Sequence, residues 1–477
     1  MPIDYHLLSI EALLEGYASQ RFTPLDVLQA LLPRVDALDP RLNSLCERQD
    51  EQALAQARAA TARWAKGQPK GRLDGVPLII KDNTDIHGWT TRNGSRALAD
   101  ATPANADASL VAQLRQAGAI FIGKSTLPEF GTTPLTVSPL TGITRNPWNL
   151  AVHAGGSSGG STAAVAAGFA PAAMGNDAAG SVRTPASFCG VIGFKPSHGL
   201  ISGYPNIDPG GMVAEGPIAR HVRDIALLME HLCDYEPREP FAWPHPSPRY
   251  LHNIEDGVAG LRIAFSPDLG YAAYVNPQIA ACCRAAALSL REAGATVLET
   301  SPALGNPATG YDQSWPVEVA CGLESEVPTE RHALVGEFIR DAHAKAQQLS
   351  ALDYACAVED RNRVAKALHA FLLDYDLLLT PTAVVAPFAV ERVTPPDWPA
   401  HAPVMWQPTT FPFNFSRQPA LSLPCGFTDD GLPVGLQISA RFGRDDLVLR
   451  TARALEKCLP MHAFAQPSAL HDEVDNA

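Results

Sequence analysis

The sequence predicts an α/β fold, because short apolar runs alternate with helix-like segments. Four runs have the length and composition of buried strands: 75–81, 119–123, 261–265 and 296–298. A helix predicted from Asp107 through Leu114 separates the first two runs, and one over 276–290 separates the last two. These β-α-β patterns favour a mixed, mostly parallel sheet flanked by helices. We expect a single large domain.

The predicted helices carry recognisable start and stop signals. Thr23 and Asn276 each stand before a proline, as an N-cap followed by proline at the first helical position. Asp107 is the predicted cap of the helix that ends before Gly118, and Gly294 closes the later helix. Residues 7–60 are also predicted to form helices.

Composition excludes several functional classes. Apolar residues make up 46% of the 477 residues and charged residues 18%, so a large core can be buried. The net charge is −13 and no Lys/Arg run occurs, which argues against a nucleic-acid partner. No HExxH or clustered Cys/His set is present, so we expect no metal and no cofactor.

The cysteines and the apolar runs predict the compartment. Nine cysteines are scattered without a CxxC pair, which favours a reducing environment over a disulfide framework. No stretch reaches the roughly 18 apolar residues of a membrane span, and the first residues lack signal-peptide features. We therefore expect a cytoplasmic protein without membrane association.

Three motifs carry the candidate chemistry. Residues 75–83 read GVPLIIKDN, residues 155–161 read GGSSGGS, and residues 175–183 read GNDAAGSVR. They offer a lysine at the end of an apolar strand and two serines on glycine-rich backbone. Such a set suits nucleophilic attack on an amide, with Lys81 as the base.

Strand side chains alternate, so Lys81 and Asp82 are predicted to point to opposite faces. Burial without a carboxylate partner would lower the pKa of Lys81 and leave a neutral amine.

The second motif has other interpretations. Residues 155–159 also satisfy G-x-S-x-G, the nucleophile elbow of α/β-hydrolases, with Ser157 as nucleophile. That interpretation needs a strand directly before the serine, and 146–154 is a poor strand candidate. A phosphate-binding loop would need a Gly-Lys-Ser/Thr ending, which is missing.

The third motif places small residues before Ser181. The backbone amides of Ala178, Ala179 and Gly180 can point at one oxygen, as an oxyanion hole requires.

These motifs, in this order and spacing, resemble the amidase signature family. Further matching segments are GKSTLPEF at 123–130, TRNPWN at 144–149, FCGVIGFKP at 188–196, PFN at 412–414, PALSLP at 419–424 and GLPVGLQ at 431–437. The resemblance implies that Ser181 is the nucleophile, Lys81 the base and Ser157 a proton relay held by a cis Gly156–Ser157 peptide. It also implies hydrolysis of an amide with release of ammonia or an amine.

The resemblance also divides the expected single domain over residues 1–477. The parts are a helical segment 1–65, a signature core 70–220, a variable substrate-determining region 235–370 and a C-terminal return to the core 375–460. Within the third part, the five prolines of 237–248 predict a surface connection. The expected partner is a small-molecule amide, and a homodimer is one form compatible with the sequence.

The chain departs from the commoner family pattern in two places, the third motif and residue 417. The third motif has Asn176, Ala178 and Ala179 where GTDTGGSIR is more usual, which resembles the subgroup of 6-aminohexanoate cyclic-dimer hydrolase. Arg417 stands where a small residue is usual. A glutaminase subunit of a tRNA-dependent amidotransferase is the alternative function, although such relatives typically carry glutamine at the position of Thr184.

Overall fold

The computed structural model describes residues 3–470 apart from 207, 209, 246–247, 399–405 and 465–466. The helices are α1 (Ile10–Ala18), α2 (Pro24–Leu42), α3 (Asp50–Ala65), α4 (Ser109–Gln116), α5 (Gly159–Ala166), α6 (Arg183–Cys189), α7 (Val222–Leu232), α8 (Tyr250–Asn253), α9 (Pro277–Ser289), α10 (Ala308–Glu326), α11 (Glu337–Ala346), α12 (Ala351–Phe371), α13 (Pro412–Phe415) and α14 (Asp445–Cys458). The strands are β1 (Leu45–Glu47), β2 (Pro77–Lys81), β3 (Ile120–Ser125), β4 (Val137–Ser138), β5 (Gly142–Ile143), β6 (Arg145–Asn146), β7 (Asn149–His153), β8 (Ala172–Asp177), β9 (Ile192–Lys195), β10 (Ala214–Ala219), β11 (Arg262–Phe265), β12 (Thr296–Glu299), β13 (Leu377–Pro381), β14 (Ala420–Phe427) and β15 (Pro433–Ala440).

Eleven strands form one mixed sheet in the order β1-β3-β2-β8-β10-β9-β14-β15-β13-β11-β12. Within the described residues, four neighbouring pairs are parallel and six are antiparallel. The parallel pairs include both predicted β-α-β units, β2-α4-β3 and β11-α9-β12. The centre is antiparallel because links such as 428–432 are too short for a helical crossover. One α/β domain with a mixed sheet is thus confirmed.

The sheet is buried on both faces. Leu78 and Ile80 pack into a cluster with α4, α7, α9 and α14, while Ile79 packs into a second cluster with α2, α3, α5 and α6. This alternation along β2 determines which face Lys81 reaches. None of the described helices combines the length and apolarity that a bilayer span requires.

Local signals predicted most helix ends. Thr23 forms a capping box with Asp26, and the Asn276 side chain accepts the amides of Gln278 and Ile279. Asp107 is a wrong prediction, since α4 begins without a side-chain cap. Its carboxylate instead pairs with Arg115 in the last turn of α4 at 2.6 Å.

Two connecting regions also bear on the predictions. Residues 237–245 and 248 contain no helix or strand, as the prolines predict, whereas 246–247 lie outside the described residues. The prediction of helices over residues 7–60 is wrong at β1, which pairs with β3 at the sheet edge.

Candidate active site

A cavity of about 420 Å³ brings the three predicted motifs together, since Asn83 of the first motif also lines it. Its wall includes both motif serines, Ser157 and Ser181, together with Asn176 and Ala178. Another part of the wall is contributed by one face of α10. The cavity therefore offers a ligand access to both serines at once.

Lys81 lies fully buried beneath this cavity, at the end of β2. Its Nζ donates to Ser157 Oγ at 2.7 Å and to Asn176 Oδ1 at 2.6 Å. Burial lowers the pKa of Lys81 to about 7, although the negative charges of Glu215 and Asp177 act to raise it. A large fraction of Lys81 is then a neutral amine at neutral pH.

The neighbouring carboxylate points away, as the strand alternation predicts. Asp82 forms a buried ion pair with Lys124, with 2.8 Å between Oδ1 and Nζ. Lys124 Nζ also donates to the Thr90 carbonyl. Asp82 is therefore neutralised on the other side of β2 and does not hold Lys81 in its charged form.

Ser157 lies in the loop before α5, and its peptide bond with Gly156 is cis, as the resemblance implies. The amide of the next residue, Ser158, donates to the carbonyl of Ser181 at 3.0 Å, which ties the two serine motifs together. The segment before this loop does contain a strand, β7, contrary to the sequence prediction. However, β7 pairs with β6 outside the main sheet.

A buried ion pair supports the Ser181 loop. Arg183 donates to Asp177 through Nε at 2.9 Å and Nη2 at 2.8 Å, and both side chains have no exposed surface. Arg183 also donates to Thr410 O, Gln437 Oε1 and Asn414 Oδ1. Burial alone would raise the pKa of Asp177, but Arg183 outweighs it and holds that pKa far below its usual range. In this buried pair, which we call the Asp177–Arg183 hub, both side chains are charged and hydrogen-bonded.

The loop amides differ from the prediction at one residue. The Gly180 amide donates to Asp177 Oδ1 at 2.7 Å, so it is already engaged. Ala178 lines the cavity, and the Ala179 carbonyl accepts from Thr410 Oγ1 at 2.7 Å. The Gly180 amide is therefore bound within the loop, and the amides of Ala178 and Ala179 remain the predicted donors to an oxyanion.

Gly180 has a conformational role instead. Its φ is +124°, whereas Ala179 is not among the residues with positive φ. The loop thus avoids left-handed geometry at the alanine, as its side chain requires.

Replacing Gly180 by alanine is expected to reduce turnover strongly. The new Cβ would lie 2.4 Å from Thr410 Oγ1 and would also strain the backbone, so the loop before Ser181 must move. A displacement of about 1 Å can cost on the order of 10²-fold in kcat/KM. The matched control is Gly67→Ala, away from the cavity wall, where φ is also positive but a Cβ meets nothing within 4 Å. Equal turnover of the two variants would contradict this account.

Arg417 does not belong to the cavity wall. Its side chain is exposed, its Nε donates to the Gly211 carbonyl at 3.2 Å, and its guanidinium stacks 5.2 Å above the Phe241 ring. Arg417 therefore contacts the segments that contain Gly211 and Phe241.

Sequence reasoning missed two polar residues of the site. Asn176 was noted only as a departure from the family pattern, yet it accepts a hydrogen bond from Lys81. Glu215, on β10, lines the cavity and had no motif to reveal it. Across the described part of the chain, no three His, Cys, Asp or Glu side chains converge as a metal site would require.

Known proteins resemble this chain over nearly its full length. The family profile described as Amidase matches residues 26–449. An acylamidase of Rhodococcus erythropolis is 36% identical over 467 residues, covering 95% of this chain and 96% of the relative. A glutamyl-tRNA(Gln) amidotransferase subunit of Moorella thermoacetica (strain ATCC 39073 / JCM 9320) is 36% identical over 458 residues, covering 91% and 93%.

The fold agrees with these matches. A solved structure of 6-aminohexanoate cyclic dimer hydrolase complexed with substrate superposes with a TM-score of 0.90 at 32% identity, covering 98% of this chain and 100% of that one. The chain belongs to the amidase family and is an amide hydrolase.

Proposed function

We propose that this enzyme cleaves carboxylic amides with Ser181 as nucleophile, Ser157 as proton relay and Lys81 as base. The observation that carries the proposal is the 2.7 Å contact between Lys81 Nζ and Ser157 Oγ, at a cavity that Ser181 also lines. A lysine whose pKa is lowered to about 7 can accept a proton near neutral pH.

The proposed reaction has two halves. Ser181 Oγ attacks the amide carbon while its proton passes to Ser157 Oγ, and the Ser157 proton passes to Lys81 Nζ. The tetrahedral intermediate then collapses, the C–N bond breaks, and the proton returns through Ser157 to the leaving ammonia or amine. Water attacks the acyl-enzyme by the same proton path, releasing the acid and restoring Ser181.

Backbone amides stabilise the negative charge in this proposal. Ala178 and Ala179 supply the donors, because the amide of Gly180 is bound to Asp177. Donors held by a rigid loop require no reorganisation as charge develops on the substrate oxygen. The Asp177–Arg183 hub provides that rigidity.

The variable region 235–370 selects the amide. Its helix α10 contributes Trp315, Val319 and Gly322 to the cavity wall. An aromatic ring, an apolar side chain and a glycine give this wall a shape that changes readily with sequence. The expected cytoplasmic location belongs to the same proposal, and nine unpaired cysteines support it.

A fluorophosphonate probe tests the nucleophile. The probe is expected to label Ser181, as read by peptide mapping, and Ser181→Ala should abolish both labelling and turnover. Ser157→Ala should keep the nucleophile but slow labelling by about 10²–10⁴-fold, since the relay is lost. Label on Ser157, with Ser181→Ala fully active, would instead favour an esterase of the nucleophile-elbow type.

A hydrolysis panel tests the substrate class. The purified enzyme is assayed on aliphatic amides, anilides, cyclic amides, carbamates, esters and glutamine. Turnover of free amides or anilides without a partner supports an independent amidase. Turnover restricted to glutamine, in a protein that copurifies with a stoichiometric partner, would support the amidotransferase alternative.

A further inference from the structure

Glu215 lies directly across the sheet from the residue that holds Lys81. β10 and β8 are antiparallel, and their register pairs Glu215 with Asn176. Side chains of directly opposed residues lie on the same face of a sheet, close enough to interact. Glu215 is only 9% exposed, and that exposed part borders the active-site cavity.

Asn176 connects the two ionisable groups. Its Oδ1 accepts from Lys81 Nζ at 2.6 Å, so its Nδ2 is left to donate elsewhere. The same Asn176 side chain, which the register places opposite Glu215, acts to lower the pKa of the Glu215 carboxyl group. The Asn176 side chain is therefore placed to couple the Lys81 amine to the Glu215 carboxyl group.

Other charged groups near this pair are already engaged. Asp177 is held by Arg183 and Glu318 by Arg361, in both cases through ion pairs. The Asp208 carboxylate accepts the amides of Gly210, Met212 and Val213. Within the described part of the chain, no ion pair involves Glu215.

A second cavity of about 30 Å³ lies behind Glu215. Glu239 and His198 face it, and burial raises the pKa of Glu239 and lowers that of His198 to about 3. Neither group is a cation that could neutralise Glu215. Glu326, on the main cavity wall, accepts from Asn93 at 2.8 Å, and burial raises its pKa to about 7.

We infer that Glu215 is a positioning residue that sets the charge of Lys81 through Asn176, with one proton shared between carboxyl and amine. The inference rests on the proposed role of Lys81 as base. In one form the amine and the carboxyl group are both neutral, and in the other the same proton lies on Lys81 and leaves Glu215 negative. The total charge is equal in both forms, and only the first can accept the Ser157 proton.

The energetics of the two groups agree with this balance. Burial raises the pKa of Glu215 to about 7, against the opposing effects of Lys81 and Asn176. Burial lowers the pKa of Lys81 to about 7, and Glu215 is the first of the charges that oppose this. Groups so matched titrate as a pair, and removing one charge shifts the apparent pKa of the other.

The test measures the rate of Ser181 labelling by a fluorophosphonate from about pH 5 to about pH 10. This range brackets the pH at which Lys81 and Glu215 are expected to titrate. Glu215→Gln removes the negative charge that favours the ammonium form of Lys81. The rising limb of the curve of labelling rate against pH should therefore move to lower pH by roughly one unit. On that limb the variant should react up to about tenfold faster than the wild type. Glu215→Met, uncharged and of similar length, should give the same shift if the glutamine variant folds poorly. Glu215→Asp should keep a limb near that of the wild type.

Glu326→Gln is the matched control. It removes a carboxylate from the same cavity, but this carboxylate is bound to Asn93 and not to Asn176. Its limb should stay in place. A Glu215→Gln variant that is slower by one factor at every pH, with an unmoved limb, would show a merely structural role. An equal shift in Glu326→Gln would show a general field of the cavity instead of a contact through Asn176. A wild type that is not labelled on Ser181 would overturn the proposed function and, with it, this inference.

Discussion

Replacing Lys81 by arginine is expected to reduce amide hydrolysis by at least about 10²–10⁴-fold, the usual contribution of a general base. The guanidinium stays protonated in proteins, so it cannot accept the proton of Ser157. Lys81→Met should be as damaging, because it keeps much of the apolar stem but supplies no base. The measurement is kcat/KM together with Tm, which separates lost chemistry from lost folding.

The pH dependence of the wild type belongs to the same argument. The active form of Lys81 is deprotonated, and burial lowers its pKa to about 7. Activity should therefore be low in acid, rise through pH about 7 and hold on the alkaline side until the fold fails. A solvated lysine would place the rise near pH 10.4.

Lys366→Arg is the control, since that side chain is 74% exposed. It should leave kcat/KM and the pH profile unchanged. Near wild-type turnover in Lys81→Arg would leave Lys81 with a structural role only.

Replacing Arg183 by methionine should have the largest effect on folding. Asp177 would remain buried without its cation, and breaking a buried pair costs about 3–5 kcal/mol. Asn414 and Gln437 would also lose a donor. We expect a large fall in the free energy of unfolding, measured by denaturant titration, and loss of Ser181 labelling in the same variant.

A surface arginine provides the comparison. Arg284 pairs with Glu299, and both side chains are about half exposed. Arg284→Met should cost less than about 1 kcal/mol, because water screens that pair. Equal losses in the two variants would mean that the Asp177–Arg183 hub does not support the loop.

Lowering the pH should weaken the contribution of the Asp177–Arg183 hub to stability. The folded-state pKa of Asp177 lies far below its unfolded value, so its contribution to stability is complete above that unfolded value, near pH 3.9. The contribution is lost as the pH falls towards the depressed folded value. The wild type should therefore keep this part of its stability in mild acid.

Local pattern predicted the parts of the fold that local physics controls. Strand alternation placed Lys81 and Asp82 on opposite faces, and the Thr23 and Asn276 caps follow from their own side chains. Asp107 was wrong because α4 has Ala108 at its N-cap, and the Asp107 carboxylate binds Arg115, eight residues later. Such competition is invisible to a signal that considers one helix end at a time.

Strand order and the second layer of the site depend on distant residues. No sequence signal joins Glu215 to Asn176, because their proximity follows from the β8–β10 register. Arg183 stood inside a recognised motif, but its contacts with Thr410 and Gln437 appear only once the C-terminal strands are in place. The engaged amide of Gly180 likewise depends on the orientation of the Asp177 carboxylate.

The place of β9 in the sheet has a consequence for synthesis on the ribosome. β9 pairs with β10 on one side and with β14 on the other, and β14 begins only at Ala420. Until that segment leaves the exit tunnel, β9 presents an open strand edge that can template aggregation. A nascent chain stopped before β14 would contain Lys81 and both motif serines and still lack Gln437, one of the side chains to which Arg183 donates. Such a truncated product is therefore expected to be a chaperone or protease substrate rather than a smaller amidase.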